Sequence, residues 1–201
     1  MDESDRASLT GLVLAGGRGS RMGGLDKGLV DFRGEPLVAG IARRLAPQVG
    51  RLLVNANRNL DRYAELGFRT VPDRFPDFAG PLAGMATGLH ALHAGWLLCV
   101  PCDSPFVPHD YAARMLGAAR AADAEVAMAT CDGRQPVFAL LAHHLRDALD
   151  AALAGGERKI DRFFGRHRLV EVDFSDRPDA FLNLNRPEDH AALEGAGPPD
   201  R

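Results

Sequence analysis

Fifteen residues, Leu14 to Gly28 (LAGGRGSRMGGLDKG), hold six glycines and three cations, Arg18, Arg21 and Lys27. Bare glycine backbone lets a ligand approach closely, and successive N–H groups can form an anion-binding concavity. Mobile cations beside such a concavity complete the usual chemistry of phosphate binding. Two standard phosphate motifs do not fit. A P-loop needs Gly-Lys followed by Ser or Thr, whereas Lys27 follows Asp26 and precedes Gly28. The dinucleotide fingerprint, started at Gly17 and Gly19, needs a third glycine where Met22 stands. The alternative is a surface turn with solvated charges. So many glycines directly after a buried strand favour phosphate.

The second constellation is VPCDSPFVP, Val100 to Pro108, with Asp103 just past an apolar run. A carboxylate there suits Mg²⁺, which takes one or two carboxylates and fills its octahedron with phosphate and water oxygens. An isolated Asp is also an ordinary N-cap or turn residue. Cys99 and Cys102 make a C-x-x-C pair. A redox motif of that kind opens a helix, and a zinc site needs more ligands. Cys99 lies inside the apolar run and reads as core. His90, His93, His143 and His144 complete no metal pattern and read as surface or partly buried residues.

The elements that must position these groups follow from the apolar runs. Gly11–Ala15, Arg51–Asn55, Phe68–Val71 and Trp96–Val100 read as short strands, the first, second and fourth of them buried, and Glu125–Thr130 and Pro136–Ala142 as extended runs. Leu29–Phe32 reads as a short extended piece. Leu169–Phe174 alternates apolar and charged residues, as an edge strand does. Helical spacing follows Pro36 (Leu37, Val38, Ile41, Leu45), and Leu60–Leu66, Leu82–His93, a segment after Pro108, Leu145–Leu153 and Pro187–Leu193 also read as helices. Alternating strands and helices predict an α/β fold: three layers, Rossmann-like and doubly wound, with a mostly parallel sheet covered on both faces. Ligands of such sheets bind outside the carboxyl ends of the strands, so the loops after Ala15, Asn55, Val71 and Val100 are expected to converge.

At 201 residues the chain suits one domain, placed at 10–193, with a disordered segment at 1–9 and a flexible tail at 194–201. A net charge of −3 argues against a broad basic face for nucleic acid. Three cysteines make no disulfide framework, and no apolar run approaches the ~20 residues that span a bilayer. The acidic N-terminus lacks the apolar stretch of a signal peptide. A cytoplasmic protein with no membrane partner is expected.

Leu14–Gly28 also resembles the nucleotidyltransferase signature, in which a strand runs into Leu-Ala-Gly-Gly, an Arg and a later Lys. The resemblance is fullest to the molybdenum cofactor guanylyltransferase (MobA) family, whose pattern continues Arg-Met-Gly-Gly, one residue, then Asp-Lys-Gly-Leu. Here stand Arg21-Met22-Gly23-Gly24, Leu25 and Asp26-Lys27-Gly28-Leu29. Cys102-Asp103-Ser104-Pro105-Phe106 is similar to the family's metal-binding Asp context. Pro72–Gly84, with Asp73, Arg74, Asp77 and an intact Ala-Gly-Pro-Leu-Ala-Gly end, resembles its nucleotide-pocket segment. Asn55 fits a nucleotide-contacting Asn, and Asn183-Leu184-Asn185-Arg186-Pro187-Glu188 matches its closing segment. Each of these Asn and Asp residues also has an ordinary reading as a turn or cap.

The resemblance implies the nucleotide-diphospho-sugar transferase type of fold and a reaction. GMP passes from GTP to the terminal phosphate of molybdopterin, with Mg²⁺ at Asp103 and pyrophosphate as the leaving group. It implies catalytic roles for Lys27, Arg21 and Asp103. The nucleotide would lie against Leu14, Ala15, Gly16, Gly17, Lys27, Asn55, Asp73 and Asp103. Asn183 and Asn185, two apart and so on one side of a strand, would take the pterin together with Arg134. Transient contact with proteins that deliver the molybdenum cofactor is a further implication. Three alternatives stand beside this: CTP or another phosphorylated acceptor, a nucleotide-binding module without turnover, and a redox role for the C-x-x-C pair.

Overall fold

The computed structural model describes residues 1–17, 26–75 and 80–184. The chain opens with a short helix, α1 (Glu3–Ala7), where the sequence suggested disorder. Asp2 accepts a hydrogen bond from the Asp5 N–H at 2.7 Å, and the Asp5 side chain reaches back to the Asp2 N–H. This reciprocal cap is what a merely polar reading of the segment misses.

Seven strands form the central sheet: β1 (Leu9–Leu14), β4 (Arg51–Asn55), β5 (Thr70–Val71), β6 (Trp96–Pro101), β7 (Val126–Thr130), β8 (Arg134–Ala142) and β9 (Leu169–Asp173). Their spatial order is β5-β4-β1-β6-β8-β7-β9. Six run parallel and β8 runs against both its neighbours. The edge position expected of Leu169–Phe174 is that of β9. A separate hairpin, β2 (Asp31–Phe32) and β3 (Glu35–Pro36), follows a single 3₁₀ turn at Lys27–Leu29.

Side chains alternate across a strand, so one run feeds two cores. Leu98 and Val100 of β6 join Val38, Ile41 and Leu45 of α2 (Leu37–Leu45) and Met115 and Leu116 of α5 (Tyr111–Ala121). Leu97 and Cys99 turn the other way, to Leu82, Met85 and Leu89 of α4 (Pro81–His90), Leu149 and Leu153 of α6 (Arg146–Ala154), and Phe163 and Phe164 of α7 (Ile160–Phe164). Sheet and helices thus make the three layers expected. The remaining helix, α3 (Leu60–Glu65), inserts the fully buried ring of Tyr63 into the first core. The α7 helix has no counterpart in the sequence reading, because five residues are too few to establish a helical period. Among the described residues no helix is long and apolar enough to cross a membrane.

Candidate active site

A cleft of about 500 Å³ opens at the carboxyl ends of the parallel strands. Its walls are Leu14 at the end of β1 with Ala15–Gly17 just past it, Asn55 at the end of β4 with Arg58 in the turn that follows, and Asp73 after β5. Pro101, Cys102 and Asp103 close it after β6, Gly80 and Pro81 at the start of α4, and Gln135–Phe138 on β8. The four loops expected to converge do so. In-register pairing explains why: Leu14 stands level with Asn55 on one side and Pro101 on the other.

Two charged residues far apart in sequence meet in this cleft. The Lys27 ammonium donates to Asp103 Oδ2 at 3.0 Å, with the two side chains only 23% and 19% exposed. Asp103 lies in a turn just after β6, yet its carboxylate faces the cleft rather than capping that turn. Its backbone is held by the Leu184 N–H, which donates to the Asp103 carbonyl at 2.8 Å. One residue on, the buried Ser104 hydroxyl donates to Asn183 Oδ1 at 2.7 Å. Asn183 therefore reaches the cleft wall, but through an irregular segment rather than the strand expected. A 3₁₀ turn at Pro178–Phe181 and the contact to Asp103 set its path.

An amide network braces the opposite wall. Asn55, 2% exposed, donates to the Val71 carbonyl at 3.0 Å and to Asp73 Oδ1 at 2.8 Å. Asn57 donates to Asp73 Oδ2 at 2.7 Å and to the Gly16 carbonyl at 3.2 Å, and accepts from the Asp73 N–H at 2.7 Å. Asp73 is thus held at both oxygens. The packing leaves no room for a Cβ at Gly16, which would stand 2.8 Å from Asn55 Oδ1, or at Gly84, which would stand 2.4 Å from the same atom.

A third network gathers around Asp26. Asp26 is 7% exposed and accepts from the Tyr63 hydroxyl at 2.7 Å and from Asn59 Nδ2 at 3.1 Å. Arg58 Nε lies 3.9 Å from its Oδ2. Burial, and then the bond to Asp26, push the Tyr63 hydroxyl far above its ordinary pKa.

The structure therefore brings together Leu14, Ala15, Gly16, Gly17, Lys27, Asn55, Asp73, Asp103 and Asn183. Arg134 is not among the cleft residues: its half-exposed guanidinium is engaged with Glu171, Nε to Oε1 at 2.8 Å. Gln135, its neighbour, lines the cleft instead. Arg18, Arg21, Asp77 and Asn185, like the helix expected at Pro187–Leu193 and the tail at 194–201, lie outside the described residues. Asn57 and Arg58 were not singled out from sequence, whereas Gln135 lies in the segment Gly133–Val137 that resembles the family's acceptor side. Asn57 and Arg58 directly follow the strand that ends in Asn55, and that placement was the available signal. The redox reading of the C-x-x-C pair fails, since both cysteines are free and buried and burial pushes each thiol well above its ordinary pKa.

Comparison with known proteins agrees with this geometry. The family model described as the MobA-like NTP transferase domain matches residues 11–172. The chain belongs to this family. It is 48% identical over 189 residues to the molybdenum cofactor guanylyltransferase of Shewanella baltica strain OS155, covering 93% of this chain and 96% of that one. It is 50% identical over 186 residues to the enzyme of the same name from Cupriavidus metallidurans, covering 90% and 91%. Among solved structures, molybdopterin-guanine dinucleotide biosynthesis protein A from Archaeoglobus fulgidus superposes with a TM-score of 0.76 at 23% identity, over 92% of this chain and 96% of that one. A 4-diphosphocytidyl-2C-methyl-D-erythritol synthase from Anaerococcus prevotii superposes at 0.70 with 12% identity, over 96% and 98%. These structural likenesses establish a shared fold.

Proposed function

We propose that this protein transfers GMP from GTP to the terminal phosphate of molybdopterin, yielding molybdopterin guanine dinucleotide and pyrophosphate, with Mg²⁺ as cofactor. Family membership and the relatives' names support the class of reaction. The observation that carries it for this chain is the meeting of Lys27 and Asp103, 3.0 Å apart in the cleft beside the backbone of Leu14–Gly17.

The attacking group is a phosphate oxyanion that already exists at neutral pH, so no protein nucleophile is required. Its oxygen bonds to the α-phosphorus as the bond to the β-phosphate oxygen breaks, and pyrophosphate leaves with that electron pair. What the protein supplies is positioning and charge stabilisation. Lys27 exchanges or shares its Asp103 partner for phosphate oxygens and stabilises the charge gathering on pyrophosphate. Arg21 is assigned the same task. Gly16 and Gly17 let the phosphates approach the backbone, while Asn55 and Asp73 line the nucleoside end. Asn183 and Gln135 offer amides to the pterin's ring edge.

Asp103 fits an Mg²⁺ ligand: it is a carboxylate at a strand end, inside the cleft, paired with a cation that a metal could replace. Among the described residues no group of three or more His, Cys, Asp or Glu side chains could hold a metal, so nucleotide oxygens and water would supply most of the ion's shell. Bound Mg²⁺ would neutralise charge on the α- and β-phosphate oxygens. A reducing, cytoplasmic location completes the proposal and suits three free, buried cysteines.

The test is pyrophosphate release with purified molybdopterin and Mg²⁺, comparing GTP, CTP and ATP. Release with GTP alone, and only with the pterin present, is the expected result. Release with CTP instead would overturn the guanylyl assignment, and no release with any of them would overturn the transferase reading.

A further inference from the structure

Arg58 is a cation in the cleft that no sequence motif points to. Arg58 lines the cleft together with Gly16, Gly17 and Lys27. The turn that carries it is stitched to the glycine-rich loop by its neighbour, since Asn57 Nδ2 donates to the Gly16 carbonyl at 3.2 Å. The carboxylate behind it, Asp26, would repel phosphate if it faced the cleft. Instead Asp26 is turned onto α3, where Tyr63 and Asn59 donate to its two oxygens, and its charge is balanced by Arg58 at 3.9 Å. A guanidinium carries five N–H donors and no acceptor. An ion pair through Nε is therefore compatible with contacts from the Nη groups to an anion.

Asp26 also sits directly before Lys27, at the entry to the 3₁₀ turn Lys27–Leu29. That turn rides closely on Tyr63: a Cβ at Gly28 would stand 2.5 Å from the Tyr63 hydroxyl. One buried carboxylate thus stands directly before one cleft cation and pairs at 3.9 Å with the side chain of another, from a loop about thirty residues away in sequence.

We propose that Arg58 binds the triphosphate of the nucleotide, beyond the α-phosphate, and that Asp26 is the positioning residue that aims it. The proposal rests on the nucleotidyl-transfer reading above. A cation with donors only is matched to phosphate oxygens, and the β- and γ-phosphates carry the densest charge on the nucleotide.

The test measures calorimetric affinity for GTP and for GMP, each with Mg²⁺, across variants. Arg58→Ala is expected to lower the ratio of GTP to GMP affinity by about tenfold or more, the size of one lost charge-assisted contact. Asp26→Asn is expected to lower the same ratio and to add little in the Arg58→Ala background. Tyr63→Phe, which removes only the hydroxyl that donates to Asp26, is expected to move the ratio in the same direction and serves if Asp26→Asn does not fold. An unchanged ratio in Arg58→Ala, or an equal loss for both nucleotides, overturns the phosphate contact. Additive losses in the double variant overturn the positioning role of Asp26. A wild-type protein that binds neither nucleotide overturns the reading on which the proposal rests.

Discussion

Gly16 and Gly17 are adjacent and look equivalent in the sequence, yet alanine at each should do different things. At Gly16 a Cβ would lie 2.8 Å from Asn55 Oδ1 and 2.9 Å from Asn57 Nδ2. Both atoms end short side chains, but neither side chain is loose. Asn55 is tied to Val71 and Asp73, and Asn57 to Gly16, Asp73 and the Asp73 N–H. Relieving the clash means giving up one or two of those bonds, at about 1 kcal/mol each, or more where a buried amide is left unpaired. Gly16→Ala should therefore lose about 2 kcal/mol of stability, which lowers Tm by roughly 4–8 °C for a chain of this size. At Gly17 a Cβ would meet none of the described residues within 4 Å, so Gly17→Ala should melt as the wild type does. Any loss of GTP affinity in Gly17→Ala then reports on the ligand's own approach to the backbone. Differential scanning fluorimetry and a GTP titration on both variants make the measurement. A wild-type Tm for Gly16→Ala would refute the rigid amide brace, and a large Tm loss for Gly17→Ala would refute the open space assigned to it.

Lys27→Ala and Asp103→Ala should each lower turnover by about 10² or more while the protein stays folded, since each forfeits several kcal/mol of transition-state stabilisation; near-normal kcat in a pyrophosphate-release assay would remove that residue from the chemistry. Cys102, although it borders the cleft, should react slowly with a disulfide reagent at pH 8, because burial first and then Asp103 raise its thiol pKa; labelling at the rate of a free thiol would contradict its packing. Glu157 accepts from the Lys159 and Arg158 N–H groups at 3.0 Å each, and these bonds, the Lys159 one foremost, hold its carboxyl below the usual range. A depressed carboxylate pKa stabilises the fold above the unfolded value, and that contribution is lost as pH falls through the folded value. Tm should accordingly drop on acidification below about pH 4.5, and Glu157→Gln should flatten that dependence; an equally steep drop in the variant would place the acid sensitivity elsewhere.

Much of this protein is legible in one dimension. Apolar runs ending in glycine, proline or a polar residue located β1, β4 and β6, because a buried parallel strand is nearly all apolar and its boundaries are local. Leu14–Gly17 and Asp103, which the structure brings to one cleft, stood out because residue types just past a strand end are also local. The α1 helix was missed although its cap is local, since Asp-x-x-Asp in an acidic stretch reads as a polar tail until the reciprocal bonds are seen. Arg134 does not line the cleft, and a sequence cannot say which of two adjacent residues on β8 meets the cleft and which meets Glu171.

What only the tertiary structure decided is who meets whom. Lys27 and Asp103 are 76 residues apart, and their contact depends on β6 lying beside β1 in register. Asp26 finds Tyr63, 37 residues on, because α3 packs against the 3₁₀ turn Lys27–Leu29, where a Cβ at Gly28 would meet the Tyr63 hydroxyl. Asn57 and Asp73 meet because β4 and β5 are neighbours that end together. Residue types and local spacing determined the strands, the loop and the kind of chemistry, since those follow from backbone preference and side-chain chemistry within a few residues. Sheet order and register determined the partners, since contacts across long sequence separations follow from how the layers pack rather than from any local pattern.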